Sequence, residues 1–143
     1  MNIRLIMKLH DGMLKQLCEE QRLTPIEANI IRFLHNNPGL DTAGDIVEMR
    51  MLSKGNVSQG VETLIQKGLL KRTPDTADRR KIHLSLLPEA QPITDEIDAF
   101  QDQLGEELFR GFSSREFALF NELNCRLMEN AKEIKKRREH SNE

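Results

Sequence analysis

The sequence predicts a mainly α-helical protein with one small β hairpin, folded as a single domain. The chain has 143 residues, within the range of ~100–200 residues that is usual for one domain. Apolar residues recur at helical spacing over three long segments of the chain. Between the first and the second of these segments, helix-capping signals mark the beginnings of three shorter helices. Residues 69–87 alone carry two β-prone runs around a turn.

The first predicted helix covers residues 1–20. Apolar side chains recur at Ile3, Ile6, Met13 and Leu17, with a spacing close to a heptad. This stripe is wide for a helix on a free surface, so we expect it to pack against a large partner surface.

Three shorter helices follow, and each begins at a capping signal. Residues 24–27 place Thr at the cap, Pro at the first helical position and Glu where it reaches back to the cap. Residues 42–45 repeat the capping box and open a short helix through about Met51. Ser53 then caps a third helix, predicted over residues 54–67.

Two short β-prone runs come next, over residues 69–73 and 81–87. The second alternates apolar Ile82, Leu84 and Leu86 with polar residues. Turn-forming residues separate the runs, which predicts a hairpin with a charged tip.

Two more helices complete the chain. The first is predicted from about Gln91 to Gly111, because Pro92 would lie too deep in a helix that began at Pro88. Ser113 and Glu116 form a capping box for the last helix. Phe112 and Phe117 are predicted to form a hydrophobic staple at its start, and heptad spacing continues to Ile134. Residues 135–143 lack an apolar anchor and are expected to fray, with 139–143 a disordered tail.

The order helix, helix, helix, two-stranded wing is that of a winged helix-turn-helix. In this fold the second helix of the turn motif, here residues 53–67, enters the major groove of DNA. Its exposed face is rich in amides and hydroxyls, which suit base edges. The alternative is that any helix facing solvent is polar, but such helices usually carry more Glu and Lys.

Charge is distributed unevenly along the chain. The net charge is −2, which argues against a nucleic-acid partner. Residues 53–83, however, hold 7 basic and 3 acidic side chains, whereas residues 84–131 hold 3 basic and 10 acidic ones. Chance clustering on solvated faces is one explanation; a basic DNA-binding block is the other.

The hairpin adds cations beside the recognition helix. Lys71 and Arg72 precede the turn, and three more basic residues follow it, within reach of phosphates or a narrow minor groove. Asp78 is expected to pair with an arginine and hold the tip; a solvated loop with an ordinary ion pair is the alternative. The predicted DNA-binding residues are Thr42, Ser53, Lys54, Asn56, Ser58, Gln59, Thr63, Arg72, Asp78, Arg79, Arg80 and Lys81.

Nearly the whole chain resembles the MarR-type (multiple-antibiotic-resistance regulator) family of transcriptional regulators. The carriers are LTPIEANIIRFL, NVSQGVETLIQKGLLKR and DTADRRKIHLSL. The family's wing reads roughly Asp-x-Arg-Asp-Arg-Arg, followed by x-x-x-Leu-x-Leu-Thr-x-x-Gly. The positions that match this pattern are Asp75, Asp78, Arg79, Arg80, Leu84 and Leu86. Ala77, Leu87 and Ala90 depart from it, so Arg79 or Arg80 would have to make the wing-tip contact that an arginine at position 77 usually makes.

The resemblance implies a homodimer that regulates transcription, commonly as a repressor released by a small-molecule effector. Its fold class would be a winged helix-turn-helix domain, residues 23–87, plus a helical dimerisation region, residues 1–22 and 88–138. The wide apolar stripes support dimerisation independently, and a two-fold dimer would bind a pseudo-palindromic duplex. A cavity for small acids or phenols would be lined by Met7, Met13, Ile31, His35 and Phe100, whose alternative role is core packing.

Other function classes find little support in the sequence. No metal site, cofactor site, nucleophile elbow or phosphate loop is recognisable, which argues against an enzyme. No membrane span or signal peptide is recognisable, and Cys18 and Cys125 form no framework, so a reducing cytoplasm is expected. Some relatives carry a peroxide-reactive cysteine on the first helix, but their supporting tyrosines are missing here. The remaining alternative is a winged-helix module that binds proteins without specific DNA binding.

Overall fold

The structure is a computed structural model that describes residues 3–50 and 52–142, except for the side chains of Met49 and Arg50. Its elements confirm the predicted mainly α-helical fold with a two-stranded wing. In chain order they are α1 Ile3–Gln21, α2 Pro25–Asn36, α3 Ala43–Arg50, α4 Lys54–Gln66, β1 Leu70–Pro74, β2 Ile82–Leu86, a short 3-10 turn Pro88–Ala90, α5 Gln91–Leu108 and α6 Ser114–Ser141.

Helix boundaries differ from the predicted ones where glycines and prolines act. α5 begins at Gln91, after the 3-10 turn that accommodates Pro88. It ends at Leu108 rather than Gly111, and Gly111 adopts a φ of 84°, the left-handed conformation that favours glycine after a helix. The predicted end of the third helix at Met51 lies outside the described residues.

Most of the chain folds as one compact unit, residues 1–104. Its core is built by apolar side chains from α1 to α5 and from both strands. Its largest fully buried apolar side chains are Leu17, Ile30, Ile31, Phe33, Ile46, Val57, Leu64, Leu70 and Ile97.

The two strands form an antiparallel hairpin that is attached to the helices at its base. Leu70 pairs with Leu86 and Thr73 with His83. The backbone nitrogen of Leu84 donates to the carbonyl oxygen of Asp41, 2.8 Å away, so β2 is bonded to the loop between α2 and α3. The predicted alternation of β2 holds at Leu84, which is buried.

Residues 105–143 form a second unit. Phe109 packs against both residues of the predicted staple, since its ring centroid lies 5.2 Å from that of Phe112 and 4.8 Å from that of Phe117. Every described side chain of α6 is exposed in the single chain.

α6 continues to Ser141, so the described part of the segment that was expected to fray is helical in the structure. A disordered tail over residues 139–143 stays a prediction. Lys135 Nζ lies 3.8 Å from Glu139 Oε1, and the Ser141 hydroxyl donates to the carbonyl oxygen of Arg137. A Lys–Glu pair at this spacing stabilises a helix modestly even without an apolar anchor.

Candidate nucleic-acid interface

The recognition helix, α4, is positioned by its cap and by a close approach to α2. The Ser53 hydroxyl accepts a hydrogen bond from the backbone nitrogen of Asn56 at 3.2 Å. A Cβ at Gly60 would lie 2.7 Å from Ile30 Cδ1, so α2 approaches closely here and a larger residue would require the Ile30 side chain to shift. Gly60 is not among the residues predicted to matter for the site, although a glycine in the middle of a helix is a recognisable signal of close packing.

This packing leaves the beginning of α4 and its outer side open to solvent. Five of the predicted DNA contacts are exposed on α4 and its cap: Ser53, Lys54, Asn56, Ser58 and Gln59. Asn56 and Gln59 also line a depression beside the beginning of α2. Accessible amide and hydroxyl groups of this kind are the groups that read base edges in a major groove.

Thr63 is turned differently from these five residues. It is half-buried, and its hydroxyl donates to Glu27 Oε2 at 2.9 Å. The structure therefore occupies the Thr63 hydroxyl inside the protein rather than presenting it with the exposed face.

Glu27 is the centre of a buried polar network that the sequence reasoning recognised only as a cap. Its carboxylate is 1% exposed. It accepts from the backbone nitrogen of Thr24 at 2.8 Å and from Lys67 Nζ at 2.8 Å. Burial by itself raises the pKa of Glu27, but the hydrogen bonds from Lys67, Thr24 and Thr63 outweigh it, so the pKa lies below its usual value. The ion pair fastens the beginning of α2 to the end of α4.

Thr42 lies at the start of α3 and is half-buried. Its hydroxyl accepts from the backbone nitrogen of Asp45 at 3.1 Å, and Asp45 Oδ2 accepts from the backbone nitrogen of Thr42 at 3.1 Å. The predicted capping box is therefore present. It leaves the hydroxyl hydrogen of Thr42 able to donate to an outside group.

In the wing, Arg72 differs from the arginines beyond the turn. The Arg72 guanidinium is paired with the carboxylate of Glu62 on α4. Arg79, Arg80 and Lys81 are exposed after the turn. The cations that are open to a phosphate backbone therefore cluster on the distal side of the hairpin.

The wing turn is held by two aspartates. Asp75 Oδ2 accepts from the backbone nitrogens of Ala77 and Asp78, at 3.0 and 2.8 Å. Asp78 was expected to pair with an arginine side chain, but its Oδ1 accepts from the backbone nitrogen of Arg80 at 3.0 Å instead. The aspartates form backbone turns because their short side chains reach the next amides, which leaves the arginine side chains exposed.

His83 is a second residue that the sequence reasoning did not assign. Its ring lies between Asp41 and Asp75, within 2.8 Å of Asp41 and 2.7 Å of Asp75. The alternation of β2 placed His83 on its polar face, but the contact with Asp41 crosses 42 residues of sequence. No local pattern indicates a contact of that range.

Of the five residues suggested for an effector cavity, Ile31 and Phe100 belong to the apolar core and Met13 packs against it. Ile31 is fully buried and Phe100 nearly so, whereas Met7 is 58% exposed. Met13 lines a shallow groove on α1, and His35 lines a separate depression between the end of β2 and the start of α5. His35 Nε2 lies 2.8 Å from Oδ1 of Asp98, which lies on α5.

Three other expectations concern a metal site, a reactive cysteine and a membrane span. Among them, no group of three or more His, Cys, Asp or Glu side chains is arranged to hold a metal ion. Cys18 is buried, and burial raises the pKa of its thiol, which is unfavourable for a reactive thiolate. None of the described helices is long and apolar enough to cross a membrane.

Comparisons with known proteins agree with this geometry. Residues 23–81 match the model of the MarR family. The chain is 23% identical over 118 residues to YsmB of Bacillus subtilis (strain 168), an uncharacterised HTH-type transcriptional regulator, covering 82% of this chain and 80% of that protein.

Two solved structures share the fold at low sequence identity. BpsR of Bordetella bronchiseptica, whose DNA binding is regulated by 6-hydroxynicotinic acid, is 23% identical with a TM-score of 0.60, covering 88% of this chain and 95% of its own. A MepR variant of S. aureus bound to an oligodeoxyribonucleotide is 17% identical with a TM-score of 0.57, covering 90% of this chain and 94% of its own.

Proposed function

We propose that this chain is a winged-helix transcriptional regulator of the MarR family, whose model matches residues 23–81, and that it binds a specific sequence in double-stranded DNA. The observation that carries this proposal is the exposed amide and hydroxyl face of α4 beside the cations of the wing. In the proposed complex α4 occupies the major groove. Arg79, Arg80 and Lys81 contact the backbone or the minor groove.

The functional protein in this proposal is a homodimer. Apolar side chains along α1 and α6 are exposed in the single chain, among them Leu5, Leu9, Leu123 and Leu127. Exposed apolar surface of this extent marks an interaction site. We assign residues 1–22 and 88–138 to dimerisation and 23–87 to DNA binding. Two recognition helices ~34 Å apart would then meet a pseudo-palindromic operator.

We further propose that the regulator is a repressor released by a small acid or phenol. The best-supported position is the depression of about 330 Å³ that His35 lines with Leu86, Ala90 and Thr94. This depression lies between the end of β2 and the start of α5. In this proposal a bound effector favours a different placement of the wing relative to α5. Such an effector weakens DNA binding only by its differential affinity for the two states. The cytoplasm is the compartment in which this regulation would take place.

The proposal is tested by removing the wing cations. Arg79→Ala/Arg80→Ala should weaken operator binding and flatten its salt dependence, by roughly one log-log unit for each lost phosphate contact. The measurement is the dissociation constant at several salt concentrations. A matched control is Arg110→Ala/Arg126→Ala, which removes the same charge outside the winged helix and should leave the slope unchanged.

The same assay separates base reading from phosphate binding. Gln59→Ala should relax base preference while it leaves the salt slope nearly unchanged, because an amide reads base edges and neutralises no phosphate. The alternative, a protein-binding winged helix, is favoured if the wild-type chain is not retained on heparin or random duplex at low salt. If the salt dependence of binding is the same in Arg79→Ala/Arg80→Ala as in the wild type, these two arginines do not contact the DNA backbone and the wing is not part of the interface.

A further inference from the structure

His83 connects the wing turn to the loop between α2 and α3. Its Nδ1 lies 2.8 Å from Asp41 Oδ1, and its Nε2 lies 2.7 Å from Asp75 Oδ1. Asp41 belongs to the α2–α3 loop, whereas Asp75 opens the wing turn. One side chain therefore bridges two parts of the interface that are far apart in sequence.

The chemistry of this bridge requires a charged ring. An ionised carboxylate only accepts hydrogen bonds, and a neutral imidazole has one N–H to donate. Two bonds to two carboxylates therefore need both N–H groups of the imidazolium. Asp75 does not supply the missing proton, because its second oxygen already accepts from Ala77 and Asp78.

The pKa values agree with this assignment. Hydrogen bonds from His83 and from the backbone of Asp78 and Ala77 lower the pKa of Asp75 to about 2. Hydrogen bonds to Asp75 and then to Asp41 raise the pKa of His83 above its usual value. The charged forms of His83 and Asp75 therefore stabilise each other.

We infer that protonated His83, together with Asp41, is a positioning residue that holds the wing turn in place for DNA binding. The inference rests on the proposed function. Arg79, Arg80 and Lys81 follow the turn that Asp75 organises, so a fixed turn presents them in one arrangement. A preorganised contact surface binds more tightly because less freedom is lost on association.

The inference fixes the direction of a pH effect. Because the pKa of His83 is raised in the folded protein, the bridge is complete below the usual pKa of histidine and is lost as the pH rises through the raised value. The lowered pKa of Asp75 moves its own protonation to strongly acidic conditions. By alternation, Lys71 and Lys81 lie on the same face of the hairpin as His83. Because both are cations, they do not favour a charged ring. The groups that favour it are the carboxylates of Asp41 and Asp75.

The test compares operator affinity across pH at constant ionic strength for the wild type and two variants. Between about pH 6 and about pH 8.5 the wild type should lose affinity roughly 5- to 30-fold, a range typical of one conformational coupling. His83→Gln should bind weakly at every pH. His83→Arg keeps a permanent cation with several donors, so its affinity should stay high and show little pH dependence. His140→Gln, which changes a histidine of the second unit and leaves the wing sequence intact, should follow the wild type.

Two further measurements need no DNA. The imidazole of His83 should titrate above the usual histidine value by NMR, and Asp41→Asn should lower that pKa. Backbone amides of residues 75–81 should lose protection from hydrogen exchange as His83 deprotonates.

Different outcomes overturn different statements. A pKa of His83 at or below its usual value, or one that Asp41→Asn leaves unchanged, overturns the bridge. A wild-type pH profile in His83→Gln overturns its role in binding. Absence of duplex binding at every pH overturns the proposed function together with the DNA part of the inference, whereas a titration-linked loss of amide protection would still identify the bridge.

Discussion

Glu27 illustrates how a single residue acquires more than one role. As the third residue of α2 it closes the capping box with Thr24, which its position in the sequence predicts. In the folded chain the same carboxylate also accepts from Thr63 and pairs with Lys67. A buried carboxylate of this kind is stable only while its donors remain, because burial penalises an unpaired charge.

This dependence gives a prediction for Lys67. Lys67→Met should lower the free energy of unfolding at neutral pH by roughly 1–3 kcal/mol, a range that allows for the partial exposure of the ammonium group. Urea denaturation measures the loss. It should be accompanied by a rise in the pKa of Glu27, because the ion pair that lowers the pKa is gone.

The double variant Glu27→Gln/Lys67→Met provides the comparison. It removes both charges, so it should recover part of the stability lost in Lys67→Met. The network would be assigned wrongly if the single lysine variant were as stable as the wild type. The pairing would also be contradicted if the double variant lost more free energy of unfolding than the two single variants lose together.

Among the elements, α4 packs closely on α2 and is also the helix that we propose to read DNA. The two demands fall on different faces of one helix. Gly60 lies on the packed face, against Ile26 and Ile30, and Gly55 lies on the open face, where an added Cβ meets nothing within 4 Å. The same substitution at the two glycines therefore tests the packing alone.

Gly55→Ala should stabilise the protein by roughly 0.5–1 kcal/mol, since alanine favours the helix and meets no obstacle. Gly60→Ala should lack this gain or be destabilising, because its Cβ would lie 2.7 Å from Ile30 Cδ1. Thermal or urea unfolding of the two variants measures the difference. Equal stabilisation by both would show that α2 and α4 are not in close contact at Gly60.

For the whole molecule, the exposed apolar face of α6 is the main feature that the single chain leaves unexplained. Leu123 and Leu127 lie one helical turn apart on α6, and each is about half exposed. Leu123→Glu/Leu127→Glu should convert the proposed dimer to a monomer, because removing an unpaired carboxylate from water into an apolar interface costs free energy. Light scattering after size-exclusion chromatography measures the mass.

Lys132→Glu is the matched control for this experiment. At about 100° per residue it lies on the opposite side of α6 from Leu123, so it should leave the dimer intact. A double leucine variant that remains dimeric would place the interface elsewhere. A wild-type chain that is monomeric at micromolar concentration would contradict the dimer itself.

Much of the fold was predictable because it depends on local signals. The caps at Thr24, Ser53 and Ser113 follow from short patterns whose partners lie within four residues. The start of α5 at Gln91 follows from the two prolines beside it, and the hairpin follows from two β-prone runs around one turn. The exposed residues of α4 were also predictable, since helical periodicity separates the packed face from the open one.

What only the tertiary structure decided is how side chains meet across long stretches of sequence. The pairing of Glu27 with Lys67 and the bridge from His83 to Asp41 join residues 40 and 42 positions apart. Glu27 also occupies the hydroxyl of Thr63, and the bridge through His83 joins the wing to the loop between α2 and α3. The sequence by itself determined the elements and the exposed residues that we propose to meet DNA, because their physics is local. The arrangement that stiffens this face depends on which charges folding brings within hydrogen-bonding distance, and neither periodicity nor composition encodes that.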